Sequence, residues 1–140
     1  PTEATRQGFA QLQELMARKS SSGRWLVLTH DNPDPDAISA AAGLTQSAPL
    51  ASKQNHYRNF ALVDTQPTTG NNQLPEQLLP TVVFDHHPIR RATRKVPFVD
   101  VRTGYGATAT IVAEYLEQAG LEVSNAAATA LVYAIRSETQ

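Results

Sequence analysis

The chain has 140 residues, of which 41% are hydrophobic and 18% charged, and its formal net charge is −1. This composition is typical of one globular domain with a substantial core, and it excludes a broadly basic nucleic-acid-binding surface. With no cysteine, the chain can form neither disulfides nor thiolate metal sites, which is typical of a cytoplasmic protein. No apolar run approaches the roughly 20 residues of a membrane span, so we expect no membrane partner.

The first third of the chain predicts a helix, a strand and a second helix. Residues 2–19 have helical periodicity, and four apolar side chains share one face: Phe9, Leu12, Leu15 and Met16. A buried strand is predicted at residues 25–28, followed by a helix rich in small residues from about 35 to 46. We expect Ile38, Ala41 and Leu44 to lie on its inward face. Residues 47–59 show no clear period.

The remainder predicts three more strands and two more helices. The strands are expected at residues 60–63, 81–84 and 97–100, with a long surface loop at 66–80. A helix should follow Gly106 and end at Gly120, and Ser124 should cap the last helix. Because helices separate strands, we predict an α/β fold with a mainly parallel sheet flanked by helices on both faces.

The loop after the first strand, residues 29–38, carries one histidine and three aspartates. Carboxylates and an imidazole at a strand end suit a divalent cation such as Mg²⁺ or Mn²⁺. A polar turn that merely ends the strand would explain the same composition. The spacing of His30 four residues before Asp34 and six before Asp36 favours the metal site.

Aspartates also follow the next two predicted strands, at Asp64 and Asp85, and the second is followed by His86 and His87. In a parallel sheet these strand ends lie side by side, so the polar groups should converge. Two divalent ions about 3.5–4 Å apart would offset the repulsion between the carboxylates. If each aspartate instead capped a helix or turn independently, its clustering with histidines would be unexplained.

Four ordered motifs resemble those of the DHH phosphoesterase family. The first three are HDNPDPDA from residue 30, VDTQ from residue 63 and FDHHP from residue 84. The fourth combines GATAT from residue 106 with YAIRSET from residue 133. The resemblance covers nearly all of the chain from Trp25 onward. The overall pattern is most similar to the oligoribonuclease and pAp-phosphatase members.

The resemblance implies two bound Mn²⁺ or Mg²⁺ ions and six protein ligands. His30 and Asp34 would hold the first ion, Asp36 and His86 the second, and Asp64 would bridge them. The fourth motif normally supplies an aspartate, and this chain has Glu138 there. Glutamate is one methylene longer and can still reach a metal, so Glu138 is retained as a ligand. The alternative interpretation is that Glu138 is a solvated residue at a helix end.

Catalytic roles are also implied by the resemblance. His87 would face the scissile phosphate, Asp85 would orient the histidine pair, and Asn32 would hydrogen-bond within its loop or to the phosphate.

A separate feature bears on the substrate. Five of the twelve basic residues fall at positions 90–102. Of these, Arg90 and Arg91 are predicted phosphate contacts, although a solvated basic loop would explain the pattern equally well.

Two departures from the family pattern affect the expected domain organisation. The family usually has an additional strand between Leu44 and Phe60, and it continues into a second, substrate-binding domain. We therefore expect residues 1–140 to be the catalytic DHH domain, with the substrate-binding domain absent from this chain.

The expected substrate is a nucleotide or short oligonucleotide. The alternatives are pyrophosphate or polyphosphate hydrolysis, and a catalytically impaired module that binds a phosphate ligand or a protein. The oligomeric state is left open, with a homodimer as one option.

Overall fold

The computed structural model describes residues 1–19, 23–46 and 57–140. Its strands are β1 (Arg24–Leu28), β2 (Tyr57–Val63), β3 (Val82–Asp85) and β4 (Phe98–Val101), all parallel and in that spatial order. Its α-helices are α1 (Glu3–Lys19), α2 (Pro35–Gln46), α3 (Thr108–Gln118) and α4 (Asn125–Glu138). The predicted α/β class and parallel sheet are confirmed. The question of an additional strand falls largely on residues 47–56, which lie outside the described residues.

Local capping explains where several helices begin and end. The Thr2 hydroxyl accepts a hydrogen bond from the backbone N–H of Thr5 at the start of α1. Ser124 does the same for the N–H of Ala127 in α4, as predicted. After α3 the chain turns at Gly120, whose φ of +63° is a left-handed conformation that glycine adopts without strain.

One face of the sheet is covered by helices. Phe84 of β3 is fully buried and packs against Phe98 of β4 and Tyr115 of α3, with ring centroids 5.5 and 4.9 Å apart. Leu12 and Leu15 of α1 join the same cluster, as the periodicity of residues 2–19 predicted. Such aromatic packing fixes α3 over the sheet and therefore fixes the position of its N-terminus.

The helix α2 packs through small residues. Ala37 and Ala40 are fully buried, and a Cβ atom added at Gly43 would come within 2.9 Å of Val112 in α3. The prediction that Ile38 faces inward is wrong, since its side chain is 55% exposed. The close approach of the two helices selects the face with the smallest side chains instead of the one with the largest.

The opposite face of the sheet is covered by connecting segments. Leu62 and Val83 pack there against Leu74, from the loop before β3, and Val96, which follows the short 3₁₀ helix Thr93–Lys95. The loop at residues 66–80 was expected at the surface, yet Leu74 and Gln66 are buried. This packing holds the loop against the end of the sheet where the polar motifs converge.

Among the described residues, no helix combines the length and apolar character needed to cross a membrane.

Candidate metal centre

The carboxyl ends of the first three strands lie side by side. The sheet register pairs Leu28 with Leu62 and Val63 with Phe84. Beyond the regular pairing, the backbone N–H of Asp64 donates to the carbonyl of Phe84, with 2.9 Å between the atoms. The aspartate and histidine motifs after β1, β2 and β3 are therefore brought to one edge of the sheet.

Asp64 lies at the centre of this edge, and its two carboxylate oxygens face different partners. Its Oδ2 is 3.4 Å from His30 Nε2, which in turn is 3.8 Å from Asp34 Oδ2. Its Oδ1 is 3.5 Å from His86 Nε2 and 3.7 Å from His87 Nδ1. In each of these two groups, one nitrogen or oxygen from every member lies within 4.8 Å of the others.

The backbone around Asp64 holds this orientation. Its φ is +59°, a left-handed conformation that aspartate tolerates better than most residues. The Thr108 hydroxyl donates to Asp64 Oδ1 over 2.8 Å, and the Asp64 side chain is almost entirely buried. A side chain in this position has little freedom to leave the centre of the site.

The electrostatic environment of Asp64 disfavours its negative charge. Burial raises the pKa of the Asp64 carboxyl to about 6, and the charges of Asp36, Asp85 and Asp34 add to the effect. The hydrogen bond from Thr108 opposes this rise. A cation at this edge would therefore be strongly stabilised by the ionised carboxylates.

Asp34 and Asp36 each have a structural contact besides their place at the site. Asp34 Oδ1 accepts a hydrogen bond from the N–H of Ala37 and caps α2. Asp36 accepts from the N–H groups of Thr108 and Ala109 at the start of α3, over 2.7 and 2.6 Å. Burial raises the pKa of Asp36 despite these bonds. Asp34 and Asp36 therefore each accept hydrogen bonds at the start of a helix and also lie at the shared edge of the sheet.

His86 is oriented by the backbone. Its Nδ1 lies 3.2 Å from the carbonyl oxygen of Tyr105, which can only accept, so Nδ1 carries the proton. In the neutral ring Nε2 is then the nitrogen without a proton, and it faces Asp64 and, at 3.9 Å, Asp36 Oδ2. This tautomer leaves the lone pair of Nε2 free to bind a metal.

His87 is oriented differently, through Asp85. Its Nδ1 lies 2.8 Å from Asp85 Oδ1, and this carboxylate oxygen is placed to accept a hydrogen bond from Nδ1–H. Burial lowers the pKa of His87, but the hydrogen bond and charge of Asp85 outweigh it and the net shift is upward. Because Nδ1 is occupied by this bond, that nitrogen is unsuited to ligate a metal.

A cleft of about 620 Å³ opens beside these groups. Five residues of the predicted site line it: His30, Asp34, Asp64, Asp85 and His87, together with the predicted phosphate contact Arg90. Asn32, Arg91 and Glu138 are exposed and are not part of this lining. Neither Glu138 nor the predicted ligand Asp36 belongs to the two metal-compatible groups found among the described residues, although Asp36 Oδ2 lies 3.9 Å from His86 Nε2.

The structure removes one arginine from the predicted basic patch. Arg102 donates to Asp100 Oδ2 and Glu114 Oε2 over 2.6 and 3.0 Å, and its side chain is only 10% exposed. It therefore belongs to a separate buried cluster instead of a phosphate-facing surface.

Three residues that support the site are not among those predicted from the sequence: Gln66, Tyr105 and Thr108. Gln66 and Thr108 stand inside the quoted motifs VDTQ and GATAT, which was the available signal. Tyr105 acts through its backbone carbonyl, and no residue type at that position would have revealed the contact.

A sequence profile of the DHH family N-terminal domain matches residues 24–135. The chain belongs to the DHH family. Members of this family are in general metal-dependent hydrolases that act on phosphate esters, and the Asp and His groups described above are compatible with metal binding. The matched range contains every predicted metal ligand except Glu138.

One relative extends this finding without naming a substrate. The chain is 32% identical over 146 aligned residues to an uncharacterized protein of Methanocaldococcus jannaschii, covering 81% of this chain and 30% of that protein. The DHH domain described here thus spans less than a third of the relative.

The donors of this DHH domain fit divalent cations. Three carboxylates and two imidazoles face one another at 3.4–3.9 Å, which is longer than the usual N–H···O hydrogen bond and leaves room for a shared ion. Carboxylate oxygen with imidazole nitrogen matches Mn²⁺ or Mg²⁺ better than a thiolate-preferring metal.

Proposed function

We propose that this chain hydrolyses phosphodiester or phosphomonoester bonds of nucleotides or short oligonucleotides, using two Mn²⁺ or Mg²⁺ ions. The observation that carries the proposal is the division of the Asp64 carboxylate between two groups of donors. Oδ2 faces His30 and Asp34, whereas Oδ1 faces His86 on the side of Asp36. A carboxylate placed in this way is suited to bridge two ions.

The ligand assignment follows these contacts. His30 and Asp34 would hold one ion with Asp64, and His86 and Asp36 would hold the other. When bound, such a pair of ions supplies a water of lowered pKa and positive charge for the phosphoryl oxygens. Glu138 would join the second ion only if the end of α4 moved its side chain inward, so we give it no essential part in the proposal.

His87 is proposed to contact the scissile phosphate. Its Nδ1 donates to Asp85, so the exposed ring presents Nε2 toward the cleft. In the protonated state, favoured by Asp85, Nε2–H can donate to a phosphoryl oxygen or to the leaving oxygen. The ring is thus held for acid or hydrogen-bond catalysis without being a ligand.

Arg90 is proposed to bind a non-bridging phosphate oxygen. Its backbone is fixed at the cleft, and its exposed guanidinium can move toward a phosphate there. Arg91 would contribute a longer-range attraction because it lies beyond the lining. Asn32 is proposed to contact the substrate from the rim of the site.

The proposal is tested by measuring Mn²⁺ binding by calorimetry and Mn²⁺-dependent hydrolysis in parallel. The substrates are bis-p-nitrophenyl phosphate, a dinucleotide, 3′-phosphoadenosine 5′-phosphate and pyrophosphate. We expect two Mn²⁺ per chain and turnover of the nucleotide substrates. The matched control is Asp64→Asn, which keeps the shape of the side chain and the tolerance for positive φ.

Three results would contradict the proposal in different ways. Turnover of pyrophosphate alone would indicate pyrophosphate hydrolysis. Nucleotide binding with no turnover would indicate a binding module. Equal turnover by the wild type and Asp64→Asn would remove Asp64 from the mechanism.

A further inference from the structure

Gln66 is the most heavily hydrogen-bonded side chain beside the site. It is 1% exposed, and both ends of its amide are used. Its Nε2 donates to Asp85 Oδ2 over 2.5 Å and to the carbonyl of Pro88 over 3.1 Å. Its Oε1 accepts from the N–H of Arg90 over 2.8 Å and from the Thr93 hydroxyl over 2.7 Å.

The bond to Asp85 has a direct consequence for His87. Asp85 is buried, and its two oxygens have different partners. Gln66 donates to Oδ2, whereas Oδ1 accepts from the His87 ring and from the backbone N–H groups of His86 and His87. Removing the donor on Oδ2 leaves a buried carboxylate oxygen unsatisfied, which favours rotation of the Asp85 side chain. Such a rotation would weaken the bond that sets the orientation of the His87 ring.

The contacts of Gln66 to the backbone act on the same loop. By bonding Pro88 and Arg90, the amide holds the segment that follows His87 and leads to the proposed phosphate contact. Thr93 supports this arrangement from the 3₁₀ helix. One buried amide therefore connects the end of β2 to both sides of the His87 loop.

We propose that Gln66 is a positioning residue that holds Asp85 and the 88–90 backbone so that His87 and Arg90 meet the substrate phosphate in the correct geometry. This inference rests on the proposed function. Gln66 Nε2 also reaches the backbone carbonyl of His87 over 3.5 Å, but its side chain makes no hydrogen bond to the proposed ligand atoms of His30, Asp34, Asp36, Asp64 or His86 among the described contacts. Its substitution should therefore reduce kcat far more than it reduces metal affinity.

The test uses Gln66→Met, which is similar in length and uncharged but has no amide. Loss of such an outer contact should lower kcat by about 10–100-fold. Mn²⁺ affinity by calorimetry should remain near that of the wild type. In the metal-free protein, the ¹⁵N spectrum of the His87 ring should change, because the Nδ1–H bond to Asp85 is perturbed. Folding is checked by circular dichroism.

Two further variants make the test specific. Thr93→Val removes one donor to Gln66 Oε1 with little change of shape, and it should change the His87 signal and kcat in the same direction but less. If Gln66→Met does not fold, the kcat and the His87 spectrum of Thr93→Val test the inference instead. Gln7→Met is the matched control, because Gln7 also donates its amide to a carboxylate, that of Glu3, but does so at the exposed surface of α1.

The inference is overturned if folded Gln66→Met keeps wild-type kcat, or if it loses Mn²⁺ binding and turnover together. If the wild type itself shows no metal-dependent hydrolysis, the proposed function fails. The positioning role of Gln66 is then tested by the His87 spectrum alone. An unchanged spectrum in Gln66→Met then overturns the positioning role, and a changed spectrum supports it.

Discussion

Two charged clusters lie within the same domain and differ in how their carboxylates are balanced. In the metal centre, the ion-pair partners of Asp64 among the described residues are histidines, and burial raises its pKa to about 6. In the second cluster, which we call the Arg102 cluster (Arg102, Asp100, Glu114, Tyr105 and Thr5), an arginine contacts two carboxylates. Burial also raises the pKa of Glu114, but hydrogen bonds from Thr5, Tyr105, Thr2 and Arg102 lower it to about 2.

This contrast distinguishes a structural use of buried charge from a functional one. The Arg102 cluster contains its own cation, so its carboxylates are stabilised in the ionised form by the fold itself. The metal centre concentrates like charges whose ionised form is costly in the protein alone. We therefore interpret the Arg102 cluster as part of the scaffold and the metal centre as a candidate site for cations.

The two clusters meet at Tyr105. Its hydroxyl donates to Glu114 over 2.6 Å, while its backbone carbonyl accepts from His86 Nδ1. The Arg102 cluster thereby helps to hold the loop that orients one proposed metal ligand. Beside this loop, a Cβ atom added at Gly106 would come within 2.5 Å of the Thr139 methyl group, so the end of α4 also packs here.

The largest effect is expected at Asp64. Asp64→Asn should abolish detectable metal-dependent hydrolysis and weaken Mn²⁺ binding, because the bridging charge is lost. The metal-free variant should be at least as stable as the wild type, since like-charge repulsion is relieved. Calorimetry and thermal unfolding check the two expectations. A marked fall in the melting temperature would show that Asp64 is balanced within the fold, as Glu114 is.

Substitutions of the two adjacent histidines should have different effects, one on catalysis and the other on metal binding. His87→Ala should lower kcat by roughly 10²–10⁴-fold, the range for loss of a general acid or base, with metal content near normal. His86→Ala should instead reduce metal occupancy, because its Nε2 faces Asp64 and Asp36. Metal analysis after gel filtration measures the difference. Equal metal loss in both variants would show that His87 is also a ligand.

Substitution of Arg102 should lower the stability of the fold without changing the metal affinity. Arg102→Met leaves Asp100 and Glu114 without their cation and should cost about 3 kcal/mol in the free energy of unfolding. Arg94→Met, an exposed control, should change it by less than about 0.5 kcal/mol. Urea denaturation measures both. A loss of Mn²⁺ affinity matching that of Asp64→Asn would mean that the clusters are not separate.

The smallest effect concerns the pH dependence of the Arg102 cluster. The pKa of Glu114 falls from its ordinary value of 4.5 to about 2 on folding, so its stabilising contribution is present above pH 4.5. It should decline as the pH falls from 4.5 through about 2, because the carboxylate is protonated in both states only below its folded-state pKa. The difference in unfolding free energy between the wild type and Glu114→Gln should therefore shrink over that range. A constant difference would contradict the assignment.

Much of the fold could be predicted because it depends on local pattern. The bounds of α2, the capping residue of α4 and the parallel sheet all follow from periodicity and from residues such as Ser124 and Gly120. The inward face of α2 could not be predicted in the same way. Ile38 is the larger apolar residue, but the space against α3 admits only small side chains.

By itself, the sequence determined which polar side chains follow each strand, because strand ends and their motifs are local features. It also indicated that these groups converge, since parallel strands end at one edge. The resemblance already implied a bridging place for Asp64, and the tertiary structure showed which of its oxygens faces which donors. Only the tertiary structure decided that Gln66 holds Asp85 and that Arg102 leaves the basic patch. These contacts join residues far apart in the chain, and their geometry depends on packing and side-chain orientation that periodicity does not encode.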